Sequence, residues 1–216
     1  MARSRYPQFL LRRELDFHRP QVEENKRSRY PQFLLRRELD FHRPQELSEG
    51  GFKVTWCKAL PKKVNIFLWR GRSLRLPTRW ALANRGIQLE SIMCPVCNGA
   101  SEQLAHLFFR CSVAVDLWTK IERWCDLTLP MFGSISDMWE WVEHNCGTEK
   151  RKIVMEVVFG TTLWIMWNYQ NNVVFGDGSY RRSVMFDNIT SFSFNWFANR
   201  NRNHLKCWTD WLLNPL

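Results

Sequence analysis

The chain has 216 residues, a formal charge of +10, 45% hydrophobic residues, 12 Trp and 15 Phe. That composition supports a packed core and excludes a wholly disordered polyelectrolyte. With seven cysteines, an odd number, and no apolar stretch after Met1, a secreted disulfide framework is not expected. These features place the chain in the nucleus or cytoplasm with reduced thiols. The longest apolar run, around 157–167, is too short to span a bilayer, so no membrane partner is expected.

Residues 1–51 read as a basic leader and linker. The stretch 3–21 (RSRYPQFLLRRELDFHRPQ) recurs unchanged at 27–45. Two copies are too few for a solenoid, and Pro7, Pro20, Pro31 and Pro44 confine any helix to FLLRREL. A largely disordered, duplicated leader is expected, since charged, Pro-punctuated segments bury little. A pair of basic nucleic-acid or nuclear-import arms is the other reading, weakened by the acids inside each copy. The segment 46–51 (ELSEGG) reads as a linker.

A mainly α fold is expected from there: a small zinc-stabilised helical domain over 52–127, then a Trp-rich helical region over 128–216. Pro61 suits a first helical position. Val64, Phe67, Leu68 and Gly71 then fall on one face, with Lys62, Lys63, Ile66, Trp69 and Arg70 opposite. A second helix runs from Pro77 to before Gly86. Ser101 suits the N-cap of a helix carrying His106, and Ser112 the N-cap of the next. That next helix has the stripe Ala114, Leu117, Trp118, Ile121, Trp124 and Cys125. After a break at 130–133 come helices over 136–145, 149–171 and 180–211, the last with room for a break.

Cys94, Cys97, His106 and Cys111 form C-x2-C-x8-H-x4-C. Three thiolates and one imidazole close a tetrahedral shell around Zn2+ and leave no position for a substrate water. This is the pattern of a structural site. His106 and Cys111 are five residues apart, about 140° on an α-helix, so both reach one ion only if the helix ends near Cys111. Glu102, one turn before His106, could orient its imidazole from behind, or be a solvated first-turn carboxylate. Cys57, Cys125, Cys146 and Cys207 read as small core residues, and His144 and His204 as surface residues.

Between residues 50 and 89 there are nine basic residues and no acidic one. Lys62, Lys63, Arg70, Arg72, Arg75, Arg79 and Arg85, with Trp69 and Trp80 among them, offer phosphates their charge and unpaired bases an aromatic face. RNA or single-stranded DNA suits this set better than duplex DNA. Taken alone, the tryptophans Trp69 and Trp80 are expected in the core, since Trp is highly buried on average.

Trp56, Leu60-Pro61, Lys63-Val64, Phe67, Trp69-Arg70, Leu76-Pro77-Thr78, Leu82, Arg85-Gly86-Ile87, Cys94-Pro-x-Cys97, Glu102, His106-Leu107-Phe108, Cys111, Ala114, Trp118 and Trp124 together resemble one family. It is the reverse-transcriptase zinc-binding domain of plant LINE-type (non-LTR) retrotransposons. Trp164-x-x-Trp167, Asn171 and Phe175 resemble the Trp-rich segment that follows it, with Gln170 where an Arg is usual. The resemblance implies a non-catalytic module set after a polymerase, holding template RNA or target nucleic acid. A reverse transcriptase or other protein in trans is an implied partner, and a decayed retroelement fragment the bland alternative. No Tyr/Phe-x-Asp-Asp motif is present, and no small-molecule substrate is expected. A zinc-stapled protein-interaction module is the competing reading.

Overall fold

The computed structural model describes residues 56–176, 180–200 and 207–216. The leader and its repeat lie outside the described residues, as does His204. The described residues are helical, and their β-structure is one isolated bridge, Met93 to Ser101.

The order is α1 (Lys62–Arg72), α2 (Arg79–Ala83), a π turn (His106–Arg110), α3 (Ser112–Cys125), α4 (Ile135–Asn145), α5 (Glu149–Phe175), a 3-10 turn (Arg182–Val184), α6 (Met185–Arg200) and α7 (Trp208–Leu213). Side-chain caps set several starts. Thr78, Ser134 and Thr148 accept from the backbone N–H three residues on, at Ala81, Asp137 and Arg151. Thr78 thus begins α2, with Pro77 just outside it. Pro61 is likewise the residue before α1 rather than its first. Cys207, expected in the core, is exposed and caps α7 through its sulfur. Cys57, Cys125 and Cys146 are buried as expected.

The axis of the fold is α5. Every residue from Val154 to Leu163 is buried, as a helix without a polar face requires. Thr161 and Thr162 satisfy their hydroxyls on the carbonyls of Val157 and Val158. Phe159 lies at the centre, with the Trp118 ring edge-on at 5.2 Å. Backbones approach closely at two glycines. A Cβ on Gly160 would lie 2.7 Å from Leu60 Cδ1, and one on Gly71 would lie 2.6 Å from Ile135 Cδ1. These contacts bring α1 against α5 and α4.

Residues Val54–Leu216 form one compact unit. The boundary expected between 127 and 128 falls inside a continuous core. Trp124 Nε1 donates to the carbonyls of Trp211 (2.9 Å) and Leu212 (3.1 Å), tying α3 to α7. Trp211 is fully buried and donates to Ser193 Oγ.

The end of α1 is a Schellman motif with an unusual occupant. The N–H of Arg75 bonds the carbonyl of Arg70 (2.7 Å), and that of Leu74 bonds Gly71 (3.1 Å). The left-handed position falls on Leu74, at φ 55, where glycine is the usual residue. A leucine there costs about 1–2 kcal/mol relative to glycine, yet its side chain is 70% exposed.

Candidate metal centre and basic face

The metal centre is built from a hairpin-like turn and a widened helical turn. The Met93–Ser101 bridge and the Cys94 N–H to Ala100 carbonyl bond (2.8 Å) close a loop over Cys94-Pro-Val-Cys97. Asn98, at φ 52, turns the chain so that the Gly99 N–H donates to Cys97 Sγ at 3.4 Å. Backbone donors to sulfur favour the thiolate, the form a metal takes.

His106 and Cys111 meet by a route other than the expected N-cap at Ser112. Residues His106–Arg110 form a π turn, closed by the Cys111 N–H on the His106 carbonyl at 2.7 Å. A five-residue turn puts the two side chains on one side, where an α-turn would splay them. Cys111 then takes extended backbone (φ −62, ψ 141) and is itself the residue before α3. Ser101 caps nothing; it is held in the bridge to Met93.

The four ligand atoms all lie within 4.8 Å of one another. A tetrahedral zinc with Zn–S of about 2.3 Å needs sulfurs about 3.8 Å apart, so the donor set fits with sub-ångström adjustment. Cys94 and Cys111 are buried, Cys97 and His106 half-buried. His106 Nε2 lies 3.1 Å from Cys97 Sγ. Without metal, the hydrogen bond between Cys94 and Cys111 together with burial pushes the Cys94 thiol up to about 12. The same bond draws Cys111 down to about 7. One proton is thus held between two sulfurs until an ion displaces it.

Glu102 has partners other than His106. Its Oε1 accepts the Arg79 N–H at 3.1 Å, and its Oε2 pairs with Arg79 Nε at 3.6 Å. Arg79 Nη1 also donates to the Met93 carbonyl, 3.1 Å away. Arg79 therefore ties α2 to the cysteine loop, and this pair, rather than a carboxylate–histidine contact, supports the centre. Burial raises the Glu102 carboxyl above its ordinary range, against the pull of Arg79 and Gln170. Gln170 is itself buried, so position 170 is an internal support for Glu102 and not a surface contact.

The eight residues expected to touch nucleic acid divide in two. Lys62, Lys63, Arg75 and Arg85 are exposed, and Trp69 and Arg70 half-buried. The Arg75 guanidinium stacks over the Trp69 ring at 5.3 Å, and Lys63 Nζ lies 5.7 Å from the Trp164 ring. Arg79 is spent on Glu102. Arg72 is half-buried, its charge disfavoured by burial and supported by Glu143 and Glu156. The core expectation fails for Trp80, which is 43% exposed, while Ile66 on the outer face of α1 is 41% exposed. Helical phase placed Ile66 on the outer face correctly; average tryptophan burial misled for Trp80.

Fold and centre together define a helical zinc-binding module of the Cys3His kind. Comparison with known proteins points the same way. Residues 35–118 match the family described as zinc-binding in reverse transcriptase, the family the sequence resembles. The match begins inside the second repeat copy. The chain is also similar to a protein of Arabidopsis thaliana named "Putative ribonuclease H protein", 23% identical over 130 residues. That stretch covers 59% of this chain but 20% of the relative, so the chain spans about a fifth of that protein. No solved structure matches significantly. Among the described residues, no helix is long and apolar enough to cross a membrane.

Proposed function

We propose that the chain is a non-catalytic, zinc-organised module of plant LINE-type retroelement origin that binds RNA or single-stranded DNA through the outer face of α1 and the loop after it. One observation carries this reading. Lys62, Lys63 and Arg75 are exposed beside Trp69, in a stretch from 51 to 88 without a single acid. Phosphates pair with exposed lysines and arginines, and unpaired bases stack on aromatic faces. The zinc shell is closed by protein ligands, which suits a scaffold rather than a reaction centre. The competing protein-interaction reading needs outward tryptophans in the tail, where Trp196 and Trp211 are buried and Trp164, Trp167 and Trp208 half-buried.

The test is fluorescence anisotropy of zinc-loaded protein with single-stranded RNA across a salt series. If four basic residues contact phosphates, log K should fall with log salt at a slope of about −3. Lys62→Ala with Lys63→Ala should make that slope shallower by about 1.4. Absence of binding at low salt, or a slope near zero, overturns the proposal.

A further inference from the structure

We infer that the cleft between the α1–α2 loop, the π turn and the start of α4 takes a single unpaired base of an RNA strand, held between Leu74 and Trp80. The inference rests on the nucleic-acid reading above and names what that face recognises.

The cleft has a volume of about 190 Å³, and Leu74, Trp80, Gln103, Phe109 and Ser136 are among its lining residues. A cavity of about 150 Å³ accepts one benzene ring, whereas sites for larger ligands start near 300 Å³. The space therefore suits one ring system and not a whole cofactor. Its lining is mainly apolar, and Gln103 and Ser136 add polar side chains to it.

Leu74 is the second, independent observation. A large apolar side chain is held in left-handed backbone, 70% exposed, at a helix end where glycine would be relaxed. Backbone strain kept at an exposed position marks a residue retained for what it touches. An exposed apolar side chain can wedge against an unstacked base. Trp80, 43% exposed, lines the same cleft and offers a plane for stacking.

Charge selects the occupant. Arg75, next to Leu74, is exposed and can take the flanking phosphate. At the far end, Asp137 lies in the first turn of α4, its carboxylate bonded to the Gly133 N–H and the Ser134 hydroxyl. A negative group there repels a phosphate but tolerates a neutral base. The strand thus enters base-first, with its backbone left on the basic side.

The experiment uses full-length zinc-loaded protein and a single-stranded RNA of about 12 nucleotides carrying 2-aminopurine at one position, with an abasic counterpart. Wild type should change the 2-aminopurine emission on binding and bind the abasic strand less well. Trp80→Ala should weaken binding about tenfold, the scale of one lost base–aromatic stack. Leu74→Gly separates function from folding. It should raise the melting temperature by relaxing the backbone, while lowering RNA affinity and abolishing the emission change. If wild type binds RNA with the expected salt slope but Leu74→Gly and Trp80→Ala bind as tightly and alter the emission equally, the cleft assignment is overturned and the basic face stands. If wild type binds no RNA, both fall.

Discussion

Arg79→Met tests whether the arginine is a strut or a phosphate contact. In the structure its side chain is 23% exposed and that of Glu102 is 5% exposed. Removing one partner of such a buried pair costs about 3–5 kcal/mol, because the other charge is left uncompensated. The bond from Arg79 Nη1 to the Met93 carbonyl adds about 1 kcal/mol. Protonation of Glu102 limits the loss, so about 3 kcal/mol is the working figure. For a domain of this size that lowers Tm by about 6–12 °C.

The pH dependence is diagnostic. Burial already raises the Glu102 pKa in the folded state, so its contribution is fully present below the unfolded value and is lost as pH rises through the folded one. Without Arg79 the folded pKa rises further, and the native state binds more protons relative to the unfolded chain. Stability of Arg79→Met should then fall more steeply than that of the parent as pH rises above the ordinary carboxylate value of 4.5. Circular-dichroism melts of zinc-loaded protein at several pH values measure this. Adding Glu102→Gln should recover much of the loss by removing the buried charge. RNA affinity of the folded variant should change less than in Lys62→Ala with Lys63→Ala. A variant that melts within about 2 °C of the parent, with the same pH slope and a large loss of RNA affinity, would refute the strut.

Native mass spectrometry should find one zinc per chain, lost in Cys94→Ser and His106→Ala. Metal removal should then loosen the 92–111 region, since structural zinc contributes on the order of 10 kcal/mol through its ligands; unchanged melting after chelation would remove the centre from the account. Zinc binding near pH 7 should release about one proton from Cys94, whose thiol is pushed up to about 12 without metal; calorimetry in buffers of different ionisation enthalpy reads this, and equal heats would contradict it. Glu156 is buried beside Cys57, and burial raises its pKa, so its favourable contribution is lost as pH rises through the folded value. Glu156→Gln should match the parent in stability near pH 4.5 and exceed it at pH 8, and a parallel pair of stability curves would argue against that assignment.

What could be read from the sequence was whatever depends on spacing along one element. The outer and inner faces of α1, the stripe of α3 and the four metal ligands all follow from local periodicity or ligand chemistry. What could not be read depends on what the chain meets after folding. No motif signals that His106 and Cys111 would be joined by a π turn, because an α-helix ending at Cys111 satisfies the same spacing. Glu102 stood one turn from His106 in sequence, yet its partner is Arg79, 23 residues away in the chain. Gln170, buried near the C-terminal end of α5, also reaches that carboxylate, which its place in the sequence does not signal. The basic cluster shows the same limit. Composition counts seven lysines and arginines of 62–85 alike, whereas folding spends Arg79 and half-buries Arg72 against Glu143 and Glu156. The charge that remains outside is smaller, carried by the exposed Lys62, Lys63, Arg75 and Arg85, because the same close packing that forms the core consumes those two arginines.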